Sequence, residues 1–141
     1  MNREDKRENL NKVWDEINES SVDYLKSEFK NIAPKLIEFL VVSLLNQEEI
    51  DFGTYWDGKK EGAIVSYDIY NTNKQLTLKM DSKFKLELEL MIYDFDGEEN
   101  IFTYPINEDD LKIIPQGLVN IIIEVVKTKK EKTVFVKSIA Q

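Results

Sequence analysis

The most regular stretch of the chain is Lys83-Phe84-Lys85-Leu86-Glu87-Leu88-Glu89-Leu90-Met91-Ile92-Tyr93. Phe84, Leu86, Leu88, Leu90 and Ile92 fall on one side, and Lys83, Lys85, Glu87 and Glu89 on the other. The period is two, which predicts a strand over 83–93 that is packed on one face and wet on the other. Such a strand belongs to an antiparallel sheet with one covered face and one face open to solvent.

Shorter segments repeat the pattern. Ala63, Val65, Tyr67 and Ile69 alternate with Ile64, Ser66, Asp68 and Tyr70; Leu76, Leu78 and Met80 alternate with Gln75, Thr77 and Lys79. Turn-forming residues separate them: Asp57-Gly58 after Tyr55-Trp56, Asn71-Thr72-Asn73-Lys74, Asp81-Ser82, and Asp94-Phe95-Asp96-Gly97-Glu98-Glu99. Ile101-Phe102-Thr103-Tyr104 is a short last strand stopped by Pro105. Connections this short make neighbouring strands antiparallel, so 52–104 reads as a β-meander.

Helical spacing flanks the meander. Leu10, Val13, Trp14 and Ile17 mark an amphipathic helix over 4–19, and Val22, Leu25, Phe29 and Ile32 mark a second stripe out of phase with it. Ser20 and Asp23 have the S-x-x-D capping form, so the helix either breaks there or bends and continues. Pro34 suits the first turn of a new helix. The residues after it, Leu36 to Leu45, are apolar nearly all round, which makes 34–46 the most buried helix.

In the last third, Asn107 caps a short helix through Glu108, Asp109 and Asp110, which Pro115 ends. Leu118, Ile121, Ile122, Val125 and Val126 then fit a helix face that runs out in Lys127, Lys129, Lys130 and Lys132. The β-branched run from Val119 to Val126 also fits a buried strand in a hairpin with 133–139. The helix is the favoured reading, because cations suit a helix C-terminus. Thr133-Val134-Phe135-Val136 is a strand in either case.

The fold class expected from these elements is α+β. N-terminal helices pack on one face of a four- to five-stranded antiparallel β-meander, and a C-terminal apolar helix (or hairpin) completes the core. No repeat, low-complexity tract or linker interrupts the pattern, so 1–141 is expected to form a single domain.

Composition narrows the chemistry. The chain has no histidine and no cysteine, which removes the commonest general base and metal ligand, thiolate nucleophiles and disulfides. With five glycines it has no G-x-G-x-x-G or other phosphate-cradling loop. Glu38 is the one acid whose surroundings predict burial, and no second carboxylate is tied to it by spacing for acid/base work. Asp94-Phe95-Asp96-Gly97 has oxygen ligands at alternate positions before a glycine, as at the start of a calcium loop, but position 103 is Thr103 where a bidentate Glu is needed. No enzyme activity, cofactor or metal is therefore expected.

Charge points to a partner instead. The net charge is −8, and only Arg3 and Arg7 are arginine, which argues against a nucleic-acid binder. Seven acids lie within 94–110 with no base among them: Asp94, Asp96, Glu98, Glu99, Glu108, Asp109 and Asp110. Such a field steers a basic partner. Tyr70 and Tyr93 fall on the nominally wet face near this acidic rim, and tyrosine is enriched among binding anchors.

These nine residues form the candidate site, and a basic protein is the expected partner. The function expected is that of a bacterial inhibitor of the immunity-protein or antitoxin type, which blocks a basic toxin enzyme. The alternatives are a structural or homo-oligomeric module and a carrier of a small apolar ligand. The charged opening Met1 to Glu8 precedes no apolar segment, and Leu36 to Leu45, interrupted by Glu38 and Ser43, is far short of the ~20 residues of a spanning helix. A cytoplasmic location without membrane contact is expected.

Overall fold

A computed structural model describes residues 12, 14, 15, 17–69, 72–94, 97 and 99–139. Residues 12, 14, 15 and 17–19 are helical, and the chain bends at Ser20. Helix α1, Val22–Leu45, follows. Of the two alternatives at the serines, the break is the one observed, and the cap is Ser21 rather than Ser20. Ser21 has extended backbone, and its Oγ accepts the Tyr24 N–H at 3.1 Å.

Pro34 does not open a new helix; it lies inside α1. An interior proline costs roughly 3 kcal/mol through a lost hydrogen bond and a clash with the preceding turn. The opposing term is burial of Leu25, Phe29, Ala33, Leu36, Ile37, Leu40 and Leu44, which form one stripe across the proline. Each large apolar side chain contributes roughly 1.5–3 kcal/mol on burial. Four or more such side chains outweigh one proline, and the helix runs through.

The sheet has six antiparallel strands, not four or five: β1 Glu49–Trp56, β2 Glu61–Asp68, β3 Lys74–Asp81, β4 Leu86–Tyr93, β5 Glu99–Pro105 and β6 Lys132–Phe135. Their order is β5-β4-β3-β2-β1-β6. The meander is as predicted. The sixth strand comes from the C-terminus, which returns to pair with β1 through Ile50↔Val134 and Asp51↔Thr133. No turn in the sequence announces that long-range pairing. Between β5 and β6 lie the one-turn helix α2, Glu108–Leu111, and helix α3, Gln116–Thr128. The helical alternative for 118–127 is the one observed. Leu118, Ile122, Val125 and Val126 are its buried residues. Pro115 stands at the N-cap of α3 rather than ending α2, which stops at Leu111.

The long strand is also shorter than its pattern. β4 begins at Leu86, and 82–85 form a turn in which Phe84 has φ 64°. Phe84 matched the inward phase by number only. Asp81 organises the turn: one carboxylate oxygen accepts the N–H groups of Lys83 and Lys85 at 2.9 and 3.0 Å.

One face of the sheet holds the core. The register stacks Val65, Leu78 and Leu88 across β2, β3 and β4, and Leu76 beside Leu90. Both long helices lie against this face, α3 over β1, β2 and β3, and α1 over β2, β3 and β5. Aromatic contacts fasten the N-terminal part: Trp14 stacks on Phe39 at 5.2 Å, and Phe39 meets Tyr67 edge-on at 6.2 Å. The outer face carries the polar half of each strand. Its centre is drier than simple alternation suggests, because Thr77 and Glu89 are buried there. Ser66 and Thr77 share a 2.8 Å hydrogen bond, and Lys79 pairs with Glu89 at 3.6 Å.

Candidate functional site

The β4–β5 end of the outer face collects part of the predicted site. Residues directly opposite one another in an antiparallel pair share a face. Tyr93 of β4 lies opposite Glu99 of β5, and Met91 lies opposite Ile101. Tyr93 is 42% exposed and Ile101 49%. The tyrosine is set firmly at the strand end: its N–H donates to the Asn73 carbonyl at 2.9 Å, and its carbonyl accepts from the Asn73 side chain at 2.6 Å. Asp94 follows, exposed, accepting from the Asn100 amide at 3.2 Å. The turn closes with the Gly97 N–H on the Asp94 carbonyl, and Gly97 has the φ of 81° that such a turn requires. Tyr93, Asp94 and Glu99 thus sit together at the strand ends, and the Met91–Ile101 pair comes next along the same face.

β5 is one of the two edges of the sheet. The Ile106 N–H donates to the Leu86 carbonyl at 3.0 Å. Hydrogen-bonded pairs alternate with non-bonded pairs along an antiparallel ladder. The backbone groups of Glu99, Ile101 and Thr103 therefore point away from β4, off the edge. The side chains of the same three residues are exposed.

The other predicted acids stand apart. Glu108 and Asp109 are exposed beyond the opposite end of β5, and Asp109 pairs with Lys112 at 3.3 Å. Asp110 is only 7% exposed. Its carboxylate completes a capping box with Asn107 and accepts the Tyr104 hydroxyl at 2.9 Å, which holds the Tyr104 proton above its ordinary range. Asp96, Glu98 and Tyr70 lie outside the described residues. Sequence reasoning missed Ile101 as part of the patch. Its alternation with Phe102 marked it as outward-facing, but only the cross-strand register puts it beside Met91.

No family model, curated protein or solved structure matches the chain.

Other groups have shifted titration as well; the Lys60 and Lys59 backbone N–H groups hold the Asp57 carboxyl below its ordinary range. Burial, reinforced by Asp81, Asp57, Glu87 and Glu89, pushes the Tyr55 phenol up to about 12. The Lys79 ammonium sits over the Tyr55 ring, 4.4 Å from its centre. Burial pushes Lys74 down; its amine donates to the side-chain oxygens of Asn18 and Asn73 at 2.8 and 3.1 Å. Among the described residues no three carboxylates are grouped to hold a metal ion, and no helix is long and apolar enough to cross a membrane.

Proposed function

We propose that the chain is a non-enzymatic binding module that meets a basic protein through the corner built by Tyr93, Asp94, Glu99 and Ile101, in the manner of an immunity protein or antitoxin blocking a toxin enzyme. One observation carries this reading: two large exposed side chains, Tyr93 and Ile101, lie diagonally on one face of the β4–β5 pair, beside an open strand edge and the carboxylates of Asp94 and Glu99. A desolvated tyrosine or aliphatic centre supplies binding energy, and a charged rim supplies steering and choice of partner. The free backbone groups of Glu99, Ile101 and Thr103 add a row of hydrogen bonds for an extended segment of that partner. The interior favours a surface partner over an enclosed ligand, because Leu36, Ile37, Leu40 and Leu44 of α1 are almost wholly buried in the same core as Leu76, Leu88 and Leu90. The absence of cysteine suits a reducing cytoplasm.

The test begins with capture of partners from host cells and continues with the purified basic protein. Tyr93→Ala is expected to weaken binding by about tenfold or more, mainly through faster dissociation. The pair Asp94→Lys and Glu99→Lys is expected to slow association and flatten its dependence on salt. A partner bound equally well by all variants would refute this corner as the site. Because a second copy's β5 could occupy the same edge, light scattering of the isolated protein is the control; a stable dimer would favour the structural reading.

A further inference from the structure

The opposite end of the sheet, where β1 turns into β2 and β3 into β4, carries an exposed aromatic pair. Trp56, the last residue of β1, is 68% exposed, and Phe84, in the β3–β4 turn, is 46% exposed. They line one groove of about 430 Å³ together with Glu61 of β2 and with Val126, Lys127 and Lys129 at the end of α3. A bulky residue seldom adopts the φ of 64° found at Phe84, a conformation that glycine or asparagine takes at lower cost. The Asp81 carboxylate fixes that turn through the Lys83 and Lys85 N–H groups, and the Phe84 N–H donates to the Asp81 carbonyl at 2.9 Å. An aromatic ring is thus held at a groove wall by backbone that favours a smaller residue.

The segments that frame the groove carry a charge opposite to that of the whole chain. Segments 57–61, 81–85 and 127–131 hold seven lysines against four acids, on a chain of net charge −8. Two of those acids, Asp57 and Asp81, are engaged by backbone N–H groups of their own turns. A third, Glu61, bridges to Lys129 at 3.0 Å and ties the end of α3 to β2. Lys127 makes no ion pair among the described residues.

We propose that this groove is a second protein-binding site, which takes a short acidic segment of a partner with one apolar side chain seated between Trp56 and Phe84. The aromatic pair supplies the anchor, and the surrounding lysines supply the charge match. A single nucleic-acid strand would also use lysines and a stacking ring. The overall charge decides against it: a long polyanion meets the repulsion of the whole acidic chain, whereas a short segment meets only the local lysines. The site is independent of the β4–β5 corner. β4 runs from one end to the other, and its eight residues span roughly 25 Å.

The probe is an end-blocked hexapeptide, Glu-Asp-Glu-Phe-Glu-Asp, titrated against the full chain while tryptophan emission is followed. Trp14 is buried and Trp56 exposed, so a change in the exposed component reports on the groove. We expect a saturable blue shift that the all-lysine analogue of the peptide does not produce. The pair Lys127→Glu and Lys129→Glu is expected to weaken binding by about tenfold. Phe84→Gly is expected to weaken it similarly without lowering the denaturation midpoint, which separates loss of the wall from loss of the fold. Absence of a saturable shift would overturn the proposal, as would binding that these variants leave unchanged. Tighter binding of a deoxythymidine decamer than of the peptide would overturn the choice of occupant.

Discussion

The Tyr104 hydroxyl donates to the Asp110 carboxylate at 2.9 Å, which ties the edge strand β5 to the one-turn helix α2. The same carboxylate faces the Asn107 N–H, while the Asn107 side chain accepts the Asp110 N–H at 2.8 Å. Asp110→Ala removes the reciprocal half of the capping box and leaves a half-buried hydroxyl without its acceptor. The expected loss is about 1–3 kcal/mol, measured by urea denaturation. Glu108→Ala and Asp109→Ala, at exposed positions, are each expected to change stability by about 0.5 kcal/mol or less. Equal effects at all three positions would contradict the structural role given to Asp110.

Gly62 sits where the strands leave no space for a side chain. A Cβ there would run into the Met80 carbonyl oxygen, with the carbonyl carbon and a Tyr55 ring carbon each 2.9 Å away. Gly62→Ala must push β2 and β3 apart or move the tyrosine, and is expected to cost about 3 kcal/mol or more. Gly58→Ala differs in kind. Nothing lies within 4 Å of its Cβ, and only the φ of 88° opposes it, so a loss of about 1–2 kcal/mol is expected. The two denaturation midpoints rank steric against conformational cost.

Phe84→Gly should act in the reverse direction. Relief of the left-handed backbone is worth about 1–2 kcal/mol, and the half-exposed ring gives back part of it. A midpoint unchanged or raised by up to about 1 kcal/mol of stability is expected. A marked fall would mean that the ring's contacts with the groove outweigh the strain of its backbone.

Alkaline pH should reveal Tyr55. Its folded pKa of about 12 stands above the value near 10 of an unfolded chain. Between those values the unfolded chain releases a proton that the folded chain keeps, so stability falls as pH rises through that window. Tyr55→Phe should flatten this fall in denaturation midpoints compared at about pH 9 and 11. Lys74 works in the opposite sense. Its folded pKa is lowered by burial, so the folded chain gives up its proton first, and stability gains as pH climbs from that folded value towards about 10.4. In Lys74→Met that gain should be missing.

Local patterns were readable wherever one physical term dominated. Alternation in β2, β3 and β4 identified the meander and its inward residues, because a half-buried strand has no other periodicity. The run from Leu118 to Val126 suited a helix face and a buried strand alike; the lysines that follow it favoured the helix, and the helix is what forms. Reading failed where two terms competed. Pro34 is a helix-starting signal by itself, yet the stripe from Phe29 to Leu44 overrides it. Phe84 kept the strand phase while Asp81 drew the chain into a turn. Asp110 counted as one more surface acid, although Asn107 three residues earlier already spelled a capping pair. The corner itself was partly legible: Tyr93, Asp94 and Glu99 come together through a short turn, but Ile101 joins them only through strand register. The Trp56 groove depends on three segments distant in sequence, and no single window contains its signal.

The pairing of β6 with β1 has a consequence for how the molecule assembles. The Thr133 hydroxyl meets the Asp51 carboxylate across 82 positions of chain, whereas every other pair of sheet neighbours is joined by a hairpin-length connection. Closing so large a loop carries an entropic penalty that short connections escape. The hairpins are expected to form early, and the tail to dock last, like a latch, after α3 has brought it home. A nascent chain would therefore own most of its sheet before synthesis delivers the final strand.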